Sequence, residues 1–178
     1  PLPTSAPTRL IAALQQIQSA PFEPRIVTPV REMFRRISES FDPVWQESLA
    51  NIDDAILDPE FLHRFQAEQP GLHALLRNTC SITMLSGSQK INVVPPISTA
   101  ELDCRILPDQ DAAEFLDAVE ARIDDDHIEI EQIMLFSAAA SSSDTSLYSL
   151  LEASIRRHFP SAGIAPGVAA GFTDSHFF

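Results

Sequence analysis

The spacing of apolar residues first predicts helices. Residues 7–19 carry apolar side chains every three or four positions, which is typical of an amphipathic helix, and Ser5 can cap its first turn. Helical spacing continues over 28–77 but is interrupted repeatedly, so we expect three or four short helices there. One of these helices opens at Asp58 and Pro59.

At residue 78 the apolar period shortens to two, which indicates β-strands. The chain turns at Ser86-Gly87-Ser88, and a second strand runs from about 98 to 107. Glu101, Asp103 and Arg105 mark the polar face of the second strand. The predicted apolar faces consist of Cys80, Ile82 and Met84 in the first strand and of Ala100, Leu102, Cys104 and Ile106 in the second.

Beyond the second strand the pattern predicts two more helices. The first covers about 110–123, with Asp109 as the expected N-cap, and residues 128–136 then alternate like a third strand. The second helix is expected to have Asp144 as its N-cap and to end at Pro160. The glycine-rich remainder of the chain is predicted to form a strand and a loop.

The order of these elements predicts an α+β fold. Helix, helical insert, strand, strand, helix and strand form a ferredoxin-like βαββαβ unit without its first strand. Two helices would cover one face of the sheet and leave the other face open. The small polar stretch SAAASSSDT marks a domain boundary, so we predict domains at 1–138 and 139–178, with the helical insert at about 28–77.

Charge and length exclude some classes of partner. The 178 residues include 25 acidic and 12 basic side chains, a formal net charge of -13, so nucleic acid and anionic membrane surfaces would repel the chain. No apolar run approaches the roughly 18 residues that a membrane-spanning helix needs. We therefore expect no nucleic-acid and no membrane partner, while the cellular compartment stays open.

The chain ends and the cysteines lead to two further expectations. The sequence neither begins with Met nor ends on a polar tail, which is typical of a fragment of a longer protein. Cys80 and Cys104 form no CxxC motif and stand apart from clustered histidines, so we expect both to be reduced strand residues.

Few residues could carry chemistry. No nucleophile elbow, P-loop or dinucleotide motif is present in the sequence. The acidic cluster at 124–127, Asp-Asp-Asp-His, holds the densest set of possible metal ligands, but such residues between a helix and a strand commonly form a solvated turn, which is the interpretation we prefer. We expect solvated or capping side chains at the five scattered histidines, His63, His73, His127, His158 and His176.

Asn92 and Arg105 are the candidates for a binding site. Asn92 lies in a proline-stiffened loop between the two strands, and Arg105 lies on the polar face of the second strand. A carboxamide and a guanidinium presented together could grip a carboxylate. The alternative is that Arg105 pairs with Glu101 or Asp103 and that Asn92 only completes a turn.

Five sequence stretches carry a family resemblance, three of them between residues 78 and 108. These three are the strand Ser81-Ile82-Thr83, the loop SQKINVVP and the strand AELDCRILP. They resemble the lid-domain signature of the dinuclear-zinc metallopeptidases of the aminoacylase and glutamate-carboxypeptidase-like superfamily. The opening PTSAPTRLIAAL resembles the segment after that family's HSSxP motif, and GFTDSHFF resembles its GGTD loop, with Phe172 in place of the second glycine. The start and the helical insert look most like the carboxypeptidase S and N-acyl-amino-acid hydrolase branch.

The resemblance implies an activity for the intact protein. Members of the family hydrolyse a peptide or acyl-amide bond next to a free carboxylate, and two zinc ions activate a bridging water. The zinc ligands would lie outside residues 1–178, so we expect no catalytic and no metal-binding residue in this chain, which would be inert alone. Residues 1–138 would form the lid, through which we expect a homodimer, and 139–178 would be a helix-strand piece of the α/β catalytic domain.

The resemblance also implies substrate-binding residues. Asn92 and Arg105 match lid positions that help to hold the substrate carboxylate or the tetrahedral intermediate. Gly171, Thr173 and Asp174 match the loop that borders the pocket. The rival hypothesis, from another class, is a free-standing ferredoxin-like module for small-molecule binding or oligomerisation.

Overall fold

A computed structural model describes residues 4–136, 139–169 and 171, and within them the fold is α+β. The sheet has two antiparallel strands, β1 (Thr79–Ser86) and β2 (Thr99–Arg105). None of the described helices combines the length and apolar character that a bilayer-spanning helix requires. The α-helices are α1 (Ala6–Ser19), α2 (Thr28–Ile37), α3 (Pro43–Ala50), α4 (Ile52–Ala55), α5 (Pro59–Glu68), α6 (Pro70–His73), α7 (Ala112–Ile123) and α8 (Ser146–His158), and 3₁₀ turns lie at Ser38–Ser40 and Ala74–Leu76.

The first helix begins where the sequence predicts it. The Ser5 hydroxyl accepts a hydrogen bond from the Thr8 backbone N–H, and the Ser5 backbone N–H donates to Thr8 Oγ1 at 2.8 Å. Pro7 lies in the first turn, where its missing N–H costs nothing. This reciprocal cap satisfies two of the backbone donors that a helix start leaves unpaired.

The helical insert is confirmed, but it is divided more finely than predicted. Five short helices and two 3₁₀ turns replace the three or four helices expected between 28 and 77. A proline stands in the first turn of four of these helices, and Asp58 caps α5 through the Glu60 backbone N–H. Proline supports a helix start but not a helix interior, so each of these prolines favours the start of a new helix at its own position.

The chain packs into two compact units. The helical unit consists of residues 24–77, 107–109, 139–169 and 171, and the hairpin unit consists of 4–23, 78–106 and 110–136. The helical unit has the larger core, in which Phe34 and Phe65 are fully buried and Trp45 lies against Phe65 at a ring separation of 5.3 Å. Each large apolar side chain buried in this way contributes about 1.5–3 kcal/mol.

In the hairpin unit two helices pack on one face of the sheet, as expected. The small core of this unit joins α1 to α7, and Cys80 and Leu102 of the sheet pack against it. Along β2, half-buried and exposed residues alternate, which confirms the predicted apolar and polar faces of that strand. The buried core residues of this unit are Ala13, Ile17, Val119 and Ile123.

A β-bulge at Thr83 overturns the predicted position of Met84. Ile82 pairs with Leu102, but Met84 pairs with Glu101, so the register shifts by one residue between them. A bulge inserts one extra residue in one strand, and every later side chain on that strand moves to the other face. Met84 therefore lies on the polar face, and Leu85 takes its place opposite Ala100.

The predicted third strand is wrong. Residues 128–136 form no strand, and from residue 129 onward they are exposed. In a βαββαβ unit the last strand pairs with the first, and the described sheet contains no strand besides β1 and β2. Without a neighbouring backbone to bond, an alternating segment cannot form a sheet strand. The strand expected after α8 is also absent from residues 159–169, and the rest of that prediction lies outside the described residues.

Two predicted helix caps are also wrong. Asp111, rather than Asp109, accepts hydrogen bonds from the first backbone amides of α7, while Asp109 pairs with Arg25. Thr145, rather than Asp144, caps α8 through the Tyr148 backbone N–H. In both cases the nearest suitable side chain before the first helical residue is the cap, since its oxygen must reach the N–H two or three residues later.

Cys80 and Cys104 form a disulfide, which corrects the expectation that both are reduced. They are direct partners across the antiparallel pair, with a Cα–Cα distance of 4.1 Å and a sequence separation of 24. Both belong to the apolar face, so their side chains point to the same side of the sheet. The bond covalently ties the two strands where they pack against the helices.

We predict that reduction of this disulfide destabilises the hairpin unit. A closed loop of this size contributes about 3 kcal/mol through the lost freedom of the unfolded chain. Thermal unfolding of the wild type should therefore shift to lower temperature in reductant, whereas Cys104→Ser should melt at the lower temperature with or without reductant. Two titratable thiols in the unreduced, denatured wild type would contradict the assignment.

We also predict a pH-dependent loss of stability that depends on His73. Burial lowers the pKa of this imidazole below its ordinary value of 6.5, and the positive charge of Arg77 lowers it further. The unfolded chain then binds more protons than the fold as the pH falls below about 6.5, so stability present above this pH decreases as the pH drops towards the folded-state pKa. His73→Phe should reduce the fall in melting temperature between pH 7 and pH 5. The same substitution at the exposed His63 should leave that fall unchanged.

Candidate functional site

The loop 87–98 joins β1 to β2 and presents Asn92 at an exposed turn. Ser88 Oγ accepts a hydrogen bond from the Lys90 N–H at 3.1 Å, and its hydroxyl donates to the Lys90 carbonyl at 3.0 Å. The Val93 N–H also donates to the Lys90 carbonyl, at 3.3 Å. The turn that results has Asn92 in its third position, with the carboxamide in solvent.

Arg105 is the last residue of β2 and lies on the polar face of the sheet. Its Nη2 donates to Oδ2 of Asp103 at 2.6 Å, and the two side chains are 45% and 46% exposed. The pair is possible because residues two apart on a strand point to the same face. An exposed pair of this kind contributes about 0–1 kcal/mol. Its main consequence is that the guanidinium is oriented along the strand.

The structure places Asn92 and Arg105 in different parts of the hairpin. Arg105 pairs with Thr79 at one end of the ladder, whereas the loop follows the Ser86 and Thr99 pair at the other end. β2 spans about 20 Å at the usual rise per residue. Among the described residues, no hydrogen bond or ion pair joins the two side chains.

The other proposed substrate residues lie at the end of the chain. Gly171 belongs to the helical unit and is exposed, and a Cβ added to it would meet nothing within 4 Å. Thr173 and Asp174 lie outside the described residues, as does His176. Their predicted place at the border of a substrate pocket stays a prediction.

The acidic cluster at 124–127 forms the turn that ends α7. Asp124 has a left-handed backbone with φ 44, and Asp125 accepts two hydrogen bonds from Arg9, at 2.8 and 2.7 Å. The backbone N–H of His127 and then Arg9 hold the pKa of the Asp125 carboxyl below its usual value. In the described part of the chain no three His, Cys, Asp or Glu side chains are grouped so as to hold a metal ion. The turn therefore connects α7 to α1 through the ion pair between Asp125 and Arg9.

Of the remaining histidines, His63 and His158 are exposed and His73 is buried. His73 packs edge-on against Phe65 at a ring separation of 6.5 Å. The prediction of a solvated or capping side chain is therefore wrong for His73, because the core of the helical unit surrounds it.

Sequence reasoning missed two features of the hairpin. The sequence contained a signal for the disulfide, because Cys80 and Cys104 were both predicted on the apolar faces of consecutive strands. The bulge had none, since neither glycine nor an interruption of polarity marks Thr83. The Thr83 hydroxyl donates to the Glu101 carbonyl at 3.1 Å, a contact that requires the paired strands to exist first.

The described residues thus define a class of protein: an α+β module that covers one face of a short sheet with two helices and exposes polar groups on the other. Residues 4–131 match the family model described as the peptidase dimerisation domain, M20_dimer. The chain belongs to the M20 peptidase dimerisation domain family. This confirms the resemblance carried by the lid-domain motifs.

Curated relatives place the chain near one branch of that family. It is 34% identical to the N-fatty-acyl-amino acid synthase/hydrolase PM20D1 of Xenopus tropicalis over 84% of this chain and 29% of the relative. It is 29% identical to a carboxypeptidase S-like protein of Dictyostelium discoideum over 66% of this chain and 23% of the relative. The chain therefore spans less than a third of the length of these relatives.

A solved structure supports the fold. An M20 family metallo-carboxypeptidase from Sulfolobus solfataricus, Sso-CP2, matches with a TM-score of 0.56 and 15% identity, over 97% of this chain and 47% of that chain. At this identity the match shows the fold alone.

Proposed function

We propose that this chain is the lid and dimerisation region of a metal-dependent hydrolase that cleaves a peptide or acyl-amide bond next to a free carboxylate. Family membership and relatives that include an N-fatty-acyl-amino acid hydrolase and a carboxypeptidase S-like protein support this function. In the intact protein the chain contributes substrate contacts, and a peptide or an N-acyl amino acid is the substrate.

The main support for the proposal is that the Arg105 guanidinium is accessible and is oriented by its ion pair with Asp103. A guanidinium has five N–H donors on three nitrogens, and the pair with Asp103 uses Nη2. The remaining donors can bind a second carboxylate in a bidentate manner, which adds geometric specificity to charge attraction. Asp103 holds the guanidinium in place, so less freedom is lost when substrate binds.

The metal belongs to the proposal for the intact protein. The family implies two zinc ions, whose chemistry is to activate a water for attack on the scissile carbonyl. The described residues of this chain do not fit such a centre, because no suitable group of donors is present among them. We therefore assign them no step at the metal.

The remaining candidates have separate roles in the proposal. Asn92, a donor and acceptor on the exposed loop, is a second candidate for holding the carboxylate or the tetrahedral intermediate, at a position apart from Arg105. Gly171, Thr173 and Asp174 border the substrate pocket. Residues 1–138 and 139–178 correspond to the lid and to part of the catalytic domain.

We predict that Arg105→Ala in the intact enzyme lowers kcat/KM without unfolding the protein. Loss of one partner of a desolvated charge pair costs about 2–5 kcal/mol, which is roughly 30-fold to several-thousand-fold in kcat/KM. Asn92→Ala should also lower kcat/KM, and because the two residues act from different places, their effects should add in the double variant. The measurements are kcat/KM and melting temperature for each variant.

Arg31→Ala is the matched control for Arg105→Ala. Arg31 also forms an exposed ion pair, with Asp53 at 2.7 Å, but it lies in the helical unit. The substitution Arg31→Ala should leave kcat/KM unchanged. Kinetics within about threefold of the wild type for both Arg105→Ala and Asn92→Ala would mean that these residues do not bind substrate.

We further propose that the chain forms a homodimer, which the family model's description as a dimerisation domain supports. Both edges of the two-stranded sheet have backbone groups that no third described strand pairs, and such edges favour association. Light scattering over a wide concentration range should show a species larger than 19.6 kDa. A single monomeric species throughout that range would exclude self-association of this chain.

A further inference from the structure

The bulge at Thr83 places an apolar side chain on an otherwise polar surface. The polar face is the face of the hairpin that carries Arg105, and Met84 is the sole apolar side chain among its eight described residues. Met84 is 58% exposed. These residues are Thr79, Ser81, Met84 and Ser86 of β1 and Thr99, Glu101, Asp103 and Arg105 of β2.

The strand register determines how far Met84 lies from Arg105. Met84 is opposite Glu101, which precedes Arg105 by four residues on β2. At the rise of an extended strand, this separation is about 13 Å. One amino acid extends only about 3.5 Å, so an amino acid bound by its carboxylate at Arg105 does not reach Met84 unless a long group is attached to it.

From Arg105, the polar face of the sheet extends in one direction only, towards the loop 87–98. Arg105 and Thr79 form the last pair of the ladder, and beyond it the backbone leaves the sheet. From Arg105 towards the loop, the polar face continues through Asp103 and Glu101 to Met84. A group that extends along this face meets hydroxyls and carboxylates first and a thioether side chain at the end.

We propose that Met84 is a specificity-determining residue that contacts the extended apolar acyl group of a substrate whose carboxylate is held at Arg105. This inference rests on the proposed function. Methionine suits the task because its unbranched, polarisable side chain adapts to flexible apolar chains. The bulge is what directs it there, since continuous alternation would place Met84 beside Ile82 on the helix-packed face.

The test compares two substrates of the intact enzyme that share one amino acid and differ only in the acyl group, N-acetyl or long-chain N-acyl. Met84→Ala should lower kcat/KM for the long-chain substrate roughly tenfold and leave the N-acetyl substrate within about twofold. Met84→Leu, which keeps an apolar side chain, should restore most of the selectivity. Leu85→Ala is the control, because Leu85 is the next residue, is 66% exposed and lies on the opposite face.

The same experiment separates this inference from the proposed function. If Arg105→Ala weakens both substrates while Met84→Ala changes neither, or changes both equally, then Met84 does not select the acyl group and only this inference is overturned. If Arg105→Ala leaves both substrates unaffected, the proposed carboxylate site is wrong and the role of Met84 falls with it. A lower melting temperature for Met84→Ala with unchanged selectivity would show that Met84 only packs within the intact protein.

Discussion

The hairpin unit depends on a backbone pairing between β1 and β2 that contains one extra residue. Ser86 of β1 pairs with Thr99 of β2. If the pairing continued without interruption, Cys80, six residues before Ser86, would lie opposite Arg105, six residues after Thr99. The bulge at Thr83 shifts the register by one, so Cys80 instead meets Cys104. A one-residue shift exchanges the two faces of a strand, and this shift therefore decides which side chains meet across the sheet.

Two consequences follow on the two faces of the sheet. On one face Cys80, Ile82 and Leu102 come together, where the disulfide and the small core between α1 and α7 hold the strands. On the other face the polar alternation of β2 is left free, and Arg105 remains accessible beside Asp103. A core this small supplies limited apolar burial, so the covalent bond contributes a large share of what keeps the accessible face in a single register.

The helical unit is stable for a different reason, since aromatic packing replaces sheet pairing. Phe61 stacks on Phe65 at 5.1 Å, and the guanidinium of Arg64 lies 4.2 Å from the centre of the Trp45 ring. Helix α8 has no buried residue, and it contacts this unit through polar groups such as Glu152 with Arg36. The chain belongs to the M20 peptidase dimerisation domain family and spans less than a third of the length of the relatives reported above.

Local patterns determined much of this protein, because helix starts, strand alternation and the lid-domain motifs depend on near neighbours. The sequence alone predicted α1 with its Ser5 cap, the two strands, the helices on one face, the family and the alternative pairing of Arg105 with Asp103. Only the tertiary structure decided the disulfide, the bulge that moves Met84 to the polar face, the burial of His73 and the failure of 128–136 to form a strand. Each of these depends on residues distant in the chain: a strand needs a partner backbone, a disulfide needs a register, and a pKa shift needs a surrounding core.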